Sequence, residues 1–216
     1  VENNPTKGIW AEAHVIAAPK WLGTSVGHYK FCATMRQYIP LGTPKVVFAY
    51  RLAYQGFFGN APWYAMPVYT TMGPKPDYDG LGGYRTVRGI MLNRVQGLHT
   101  GFYNAEIRYR FIDFKLFNQN IAFAISGFTD GTHVFKGYDM TMSDAKRAEL
   151  ALTAPKKLAL YDTYVHPDKK DGLHGSAGAG LRFIMNENFI VAFEYARCFN
   201  KQDGNGAFYI NTGFLF

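Results

Sequence analysis

Few residues in this 216-residue chain have the types and spacing that chemistry needs. Ser143-Asp144-Ala145-Lys146 matches a Ser-x-x-Lys nucleophile–base pattern, but no further partner accompanies it. Ser143 reads better as the cap of a short surface helix over 143–153. The histidines His14, His28, His99, His133, His166 and His174 show no paired-ligand spacing on a strand or helix. Cys32 and Cys198 form neither a metal-binding spacing nor a disulfide framework, so both are expected to be free thiols. The run Gly175-Ser176-Ala177-Gly178-Ala179-Gly180 lacks the following helix that a phosphate-binding loop requires. Glu106 and Asp130 are candidates for an acid–base pair, yet arginines stand nearby and a buried ion network fits better. No catalytic set, metal site or cofactor site emerges, and a protein that is not an enzyme is expected.

The elements that position these residues alternate with period two. Over 101–112, Tyr103, Ala105, Ile107, Tyr109 and Phe111 share one face, while Asn104, Glu106, Arg108 and Arg110 share the other. The same large-apolar against small-or-polar alternation runs over 27–39, 45–56, 119–131, 176–185, 189–199 and 206–216, and more weakly over 8–18. That makes about eight strands of about ten to thirteen residues, close to the span needed to cross a bilayer at a tilt. Soluble sheets also alternate, but their strands average about half that length. Charges also sit repeatedly on the small-residue face, including Glu12, Arg51, Glu106, Asp130, Arg182 and Glu194. An aromatic outside around opposed charges is the inverted arrangement of an antiparallel transmembrane β-barrel.

Composition agrees. Aromatics make up 17% of the chain and charged residues only 18%, with 23 glycines, which suits strands joined by turns. No apolar run is long enough for a spanning helix. The formal charge of +7 is spread thinly, without the clustered basic residues of a nucleic-acid binder. Joins over 40–44, 113–118 and 186–188 are short, whereas 57–100 and 132–173 are long. Short turns on one rim and long loops on the other are the outer-membrane pattern, with both termini on the short-turn side.

Within the first long join, Leu81-Gly82-Gly83-Tyr84-Arg85-Thr86-Val87-Arg88-Gly89-Ile90 resembles the glycine pair and Val-Arg-Gly-aromatic motif of the BamA/TamA superfamily of outer-membrane barrels, also called bacterial surface antigens. Further resemblances follow in order along the chain. Asn3-Asn4-Pro5-Thr6-Lys7-Gly8 is similar to an Asn-Pro-x-x-Gly strand start, and 104–111 to the strand after the motif loop. Phe128-Thr129-Asp130 resembles the start of Phe-x-Asp-x-Gly, and Gly178-Ala179-Gly180-Leu181-Arg182 resembles Gly-x-Gly-x-Arg. Phe208, Phe214 and the terminal Phe216 resemble an outer-membrane targeting signal, expected on one lipid-facing parity. Ile90 stands where the family usually has Phe or Tyr, and Gly131 directly follows Asp130.

The resemblance implies a single barrel domain over 1–216, equivalent to the C-terminal half of a family barrel of about sixteen strands, in a short form without POTRA modules. It also implies that Arg88, flanked by Val87 and Gly89, anchors the loop on the inner-wall acids Asp130 and Glu106. A closed eight-stranded lumen is just filled by side chains, so a loop of about forty residues should enter only at the rim or require a second chain. A homodimer is therefore expected. Two functions follow from the resemblance: an outer-membrane insertase or translocase whose partners are membrane lipids and client membrane proteins, or a closed structural or lipid-interacting barrel without assembly activity. Neither involves nucleic acid or a cofactor, and both place the chain in the outer membrane of a Gram-negative bacterium.

Overall fold

The computed structural model describes residues 4–70, 80–166 and 171–216. Eight strands form one antiparallel meander in strict chain order: β1 (Gly8–Ala18), β2 (His28–Pro40), β3 (Val46–Gly59), β4 (His99–Leu116), β5 (Gln119–Lys136), β6 (Leu173–Met185), β7 (Phe189–Cys198) and β8 (Ala207–Thr212). Consecutive strands in a meander need only short turns at one rim, and the β4–β5 and β6–β7 turns place Phe117, Asn118, Asn186 and Glu187 at positive φ. No helix is long and apolar enough to cross a membrane.

The expected parity holds along the wall. Ile107, Tyr109, Ile125, Leu181, Phe193 and Tyr195 are exposed, while Arg51, Glu106, Asp130, Arg182 and Glu194 are buried on the opposite face. Both cysteines are buried and free.

Several strand limits differ from the alternation: β3, β5 and β6 extend further at the long-loop rim, to Gly59, to Lys136 and from Leu173. β4 continues to Leu116, through 113–116, which reads as a turn in sequence. A register shift between Arg110 and Ile112 inserts one residue and flips the parity, so Ile112 and Phe114 take the outward side and the simple period ends. β8 stops at Thr212, because Gly213 takes φ 89° and turns the chain. Phe208 is exposed on the outer face as expected, but Phe214 is only partly exposed and Phe216 is buried. The shared lipid-facing parity of the three phenylalanines is thereby corrected. Phe216 stacks on Tyr38 at 6.4 Å, and the Arg108 guanidinium lies 4.1 Å from the centre of the Phe214 ring. Cation–ring attraction and burial draw the tail inward.

The sheet curls but is not closed. Asn4, just ahead of β1, donates to Glu187 in the β6–β7 turn at 3.1 Å, and the tail reaches across to β2. Among the described residues, however, β1 and β8 form no ladder with each other; they are the two edges of the sheet. The second long join carries α1 (Asp144–Thr153) and α2 (Pro155–Tyr164), and Ser143 accepts from the Lys146 backbone N–H as the expected cap.

Candidate functional site: an arginine-anchored loop inside the sheet

The concave face contains a cluster of alternating charge, set by parity on β4, β5, β6 and β7. The first long join turns back into this concavity, and Thr86, Val87 and Arg88 are completely buried. Arg88 engages Asp130 bidentately, Nε to Oδ2 at 2.8 Å and Nη2 to Oδ1 at 3.1 Å. Its Nη1 donates to Glu106 at 3.1 Å and to Glu194 at 2.8 Å. The guanidinium lies 3.4 Å from the centre of the Phe128 ring. A planar five-donor fork can serve three carboxylates in this way, and an ammonium cannot. Burial by itself would disfavour the charged form, but Asp130, Glu106 and Glu194 outweigh it and raise the pKa of this loop arginine above its ordinary value.

Two wall arginines complete the cluster. Arg182 pairs with Glu106 at 2.7 Å and with Glu194 at 2.6 Å, and Arg108 pairs with Glu106 at 3.1 Å. Three arginines thus face three carboxylates, and the buried set is balanced in formal charge. That balance lets ions persist where an unpaired one would be costly.

The loop backbone is held as fully as the side chain. The Arg88 N–H donates to Asp130 at 3.0 Å, and its carbonyl accepts from the Ser176 hydroxyl. The Gly89 N–H donates to the Tyr209 hydroxyl at 2.8 Å, and its carbonyl accepts from Cys198 Sγ at 2.6 Å. Asn104 donates to the Thr86 carbonyl at 2.7 Å, and Arg51 to that of Arg85 at 2.7 Å. Gly89 has φ 88°, and a Cβ there would come within 3.1 Å of the Ala196 Cβ, so both its conformation and its closeness to β7 require glycine. Val87 and Ile90 pack with Val95, Phe102 and Tyr69, so Ile90 fills a core position where the motif usually carries an aromatic ring.

The expected anchor and both expected partners therefore meet. The loop's depth differs from the expected rim position: the open sheet leaves room that a closed eight-stranded lumen lacks. Glu194 is a partner the motif reading missed. Its signal was present, since inward-facing Glu194 and Arg182 lie on diagonally adjacent positions of β7 and β6. Asn3 of the Asn-Pro motif lies outside the described residues. Among the described residues no group of histidine, cysteine and carboxylate side chains is placed to hold a metal.

No curated protein sequence matches the chain. The family model for the Omp85 superfamily domain matches residues 2–216, nearly the whole length. Proteins of that superfamily are β-barrels of the Gram-negative outer membrane related to protein insertases and translocases. The chain belongs to the Omp85 superfamily.

Proposed function

We propose that this chain works in the outer membrane as an assembly barrel that lends its open sheet edges to strands of client membrane proteins. The observation supporting this reading is the combination of two edge strands, β1 and β8, with a lumen already filled by a locked loop. Each unpaired N–H or C=O in hydrocarbon costs several kcal/mol, so an edge in a bilayer favours pairing with another strand. β1 presents Ala11, Ala13 and Ala17 on its outer face between and beside Ile9 and Val15, so its middle is a sparse apolar surface that holds a neighbour weakly. Weak pairing suits a seam that opens for an incoming strand. The Arg88 network keeps the loop and the opposite wall rigid while the seam exchanges partners. Phe208, Phe214 and Phe216 carry the targeting signal in this reading, with the last two rings tucked inward after assembly.

A second reading, a static structural or lipid-interacting wall, is favoured by the formal charge balance of the buried ion network. In either reading a second copy of the chain, joined edge to edge, is the partner that would complete the wall. Photo-crosslinkers at Ala13 on β1 and Ile210 on β8, activated in native outer membranes, separate these outcomes. Adducts with newly exported membrane proteins are expected, alongside a species of twice the chain mass. Adducts with lipid alone, or a link between β1 and β8 of one chain, would overturn the assembly role.

A further inference from the structure

The outer face carries an apolar groove of about 510 Å³ that crosses the strands near the long-loop rim. Its floor is built of small residues in neighbouring register rows, Ala11 on β1 and Ala33 on β2, and continues to Gly101 on β4 and Gly131 on β5, where the Phe135 and Tyr103 rings lie over the glycines. Large side chains wall it, among them Leu52 and Phe135. A lipid-facing wall that merely contacted bulk chains would gain by filling such a recess, because unfilled space forfeits dispersion contacts.

Tyr54 and His133 line the rim end of the groove, and His99 stands beside Tyr54 just outside it. Tyr54 and His99 are hydrogen bonded through the phenol oxygen and Nδ1 at 2.7 Å, and His99 packs edge-on to Phe58 at 5.0 Å. His133 faces the Gly172 carbonyl through Nδ1 at 3.2 Å and packs edge-on to Phe135 at 5.0 Å. With Nδ1 engaged in each ring, Nε2 of both histidines lacks a protein partner among the described residues. When Tyr54 donates to Nδ1 of His99, the Nε2–H of His99 is a donor. His133 donates its Nδ1–H to the carbonyl, which leaves Nε2 as an acceptor when the ring is neutral. The pair therefore matches a headgroup that carries both acceptor oxygens and hydroxyls.

We infer that this groove binds one acyl chain of a hydroxylated, phosphorylated lipid of the leaflet at the long-loop rim, with its headgroup held at His99 and His133. The inference rests on the reading of the sheet as a membrane wall. The groove lies beside two ring nitrogens that no described side chain engages, and one lipid can occupy both.

Native mass spectrometry of the delipidated protein in detergent, titrated with phosphatidylglycerol, tests it. The wild-type protein should retain one lipid that survives dilution. Ala33→Trp, which fills the floor, should lower that retention by about tenfold, the equivalent of excluding two methylene groups. Phe193→Trp, on the outer face of β7 away from the groove, should retain it fully. His99→Phe keeps the ring packing and should keep the chain, but lose the preference for phosphatidylglycerol over phosphatidylethanolamine, which has no headgroup hydroxyl. Equal retention by Ala33→Trp and wild type would overturn the site. Heat-modifiable migration of every variant reports the membrane wall independently: its loss from the wild type would overturn the underlying reading, whereas its persistence without lipid retention overturns only the groove.

Discussion

The two long loops leave the same rim of the sheet and behave oppositely. Residues of the first, around Val87-Arg88-Gly89, are buried and bonded to five strands, β4 to β8, through side chain and backbone. The second carries two helices of ten residues each, neither with a buried residue, tied by surface pairs such as Arg147 with Asp162. Length does not separate them, since both joins span about forty residues. The difference is chemical. The first loop offers one planar cation and a glycine that permits close approach, and the wall offers three carboxylates to meet that cation. The second offers capped helical turns that satisfy their own backbone and need nothing from the wall.

Removing the cation should collapse the distinction most. Arg88→Ala leaves three carboxylates against two arginines in a buried site, at a cost of about 3–5 kcal/mol. Urea unfolding followed by heat-modifiable gel migration reads that loss directly. Arg88→Lys should recover only part of it, because one ammonium cannot reproduce the bidentate fork to Asp130. Combining Arg88→Ala with Asp130→Ala restores the charge balance, so the pair should cost clearly less than the two single changes summed. Strict additivity would mean that the contact carries no coupling.

Sequence made the larger effect legible and the smaller ones obscure. Parity alone put Glu106 and Asp130 on the inner face, because β side chains alternate strictly between faces. The motif then supplied Arg88, a loop residue that no periodicity could have placed. Glu194 escaped because its link to Arg88 crosses 106 residues and depends on how far the loop descends. The inward tail escaped for a local reason. Phe214 and Phe216 continue the outward parity of Phe208, and only the turn at Gly213 reverses them. Sheet closure also lay beyond the pattern, since alternation is identical in an open sheet and a closed one.

The intermediate prediction concerns closeness rather than charge. Gly89→Ala forces a left-handed alanine against Ala196 and should cost roughly 1–3 kcal/mol in the same unfolding assay. The tail should respond less strongly. Phe216→Ala removes ring contacts with Arg51 and Arg108, each 5.3 Å from the ring centre, and should cost about 1–2 kcal/mol of unfolding stability. The same change should lower the amount assembled into the outer membrane if the residue also carries targeting information. The second loop marks the lower limit. Ser143→Ala should lose about 1 kcal/mol of local helix stability, seen as faster amide exchange in α1, with the unfolding midpoint of the sheet unchanged. A shift of that midpoint as large as the one from Gly89→Ala would erase the contrast between the loops.

The central claim is that Arg88 holds the first loop inside the sheet, and Cys198 reports on it most directly. Its thiol is buried against the Gly89 carbonyl at 2.6 Å, whereas Cys32 is buried on β2 beside Gln55, away from the loop. Labelling rates with a water-soluble maleimide, measured on folded protein with and without Arg88→Ala, distinguish loop release from global unfolding. The account predicts that Cys198 becomes reactive in the variant while Cys32 stays protected. Continued protection of both thiols in a folded Arg88→Ala variant would contradict it.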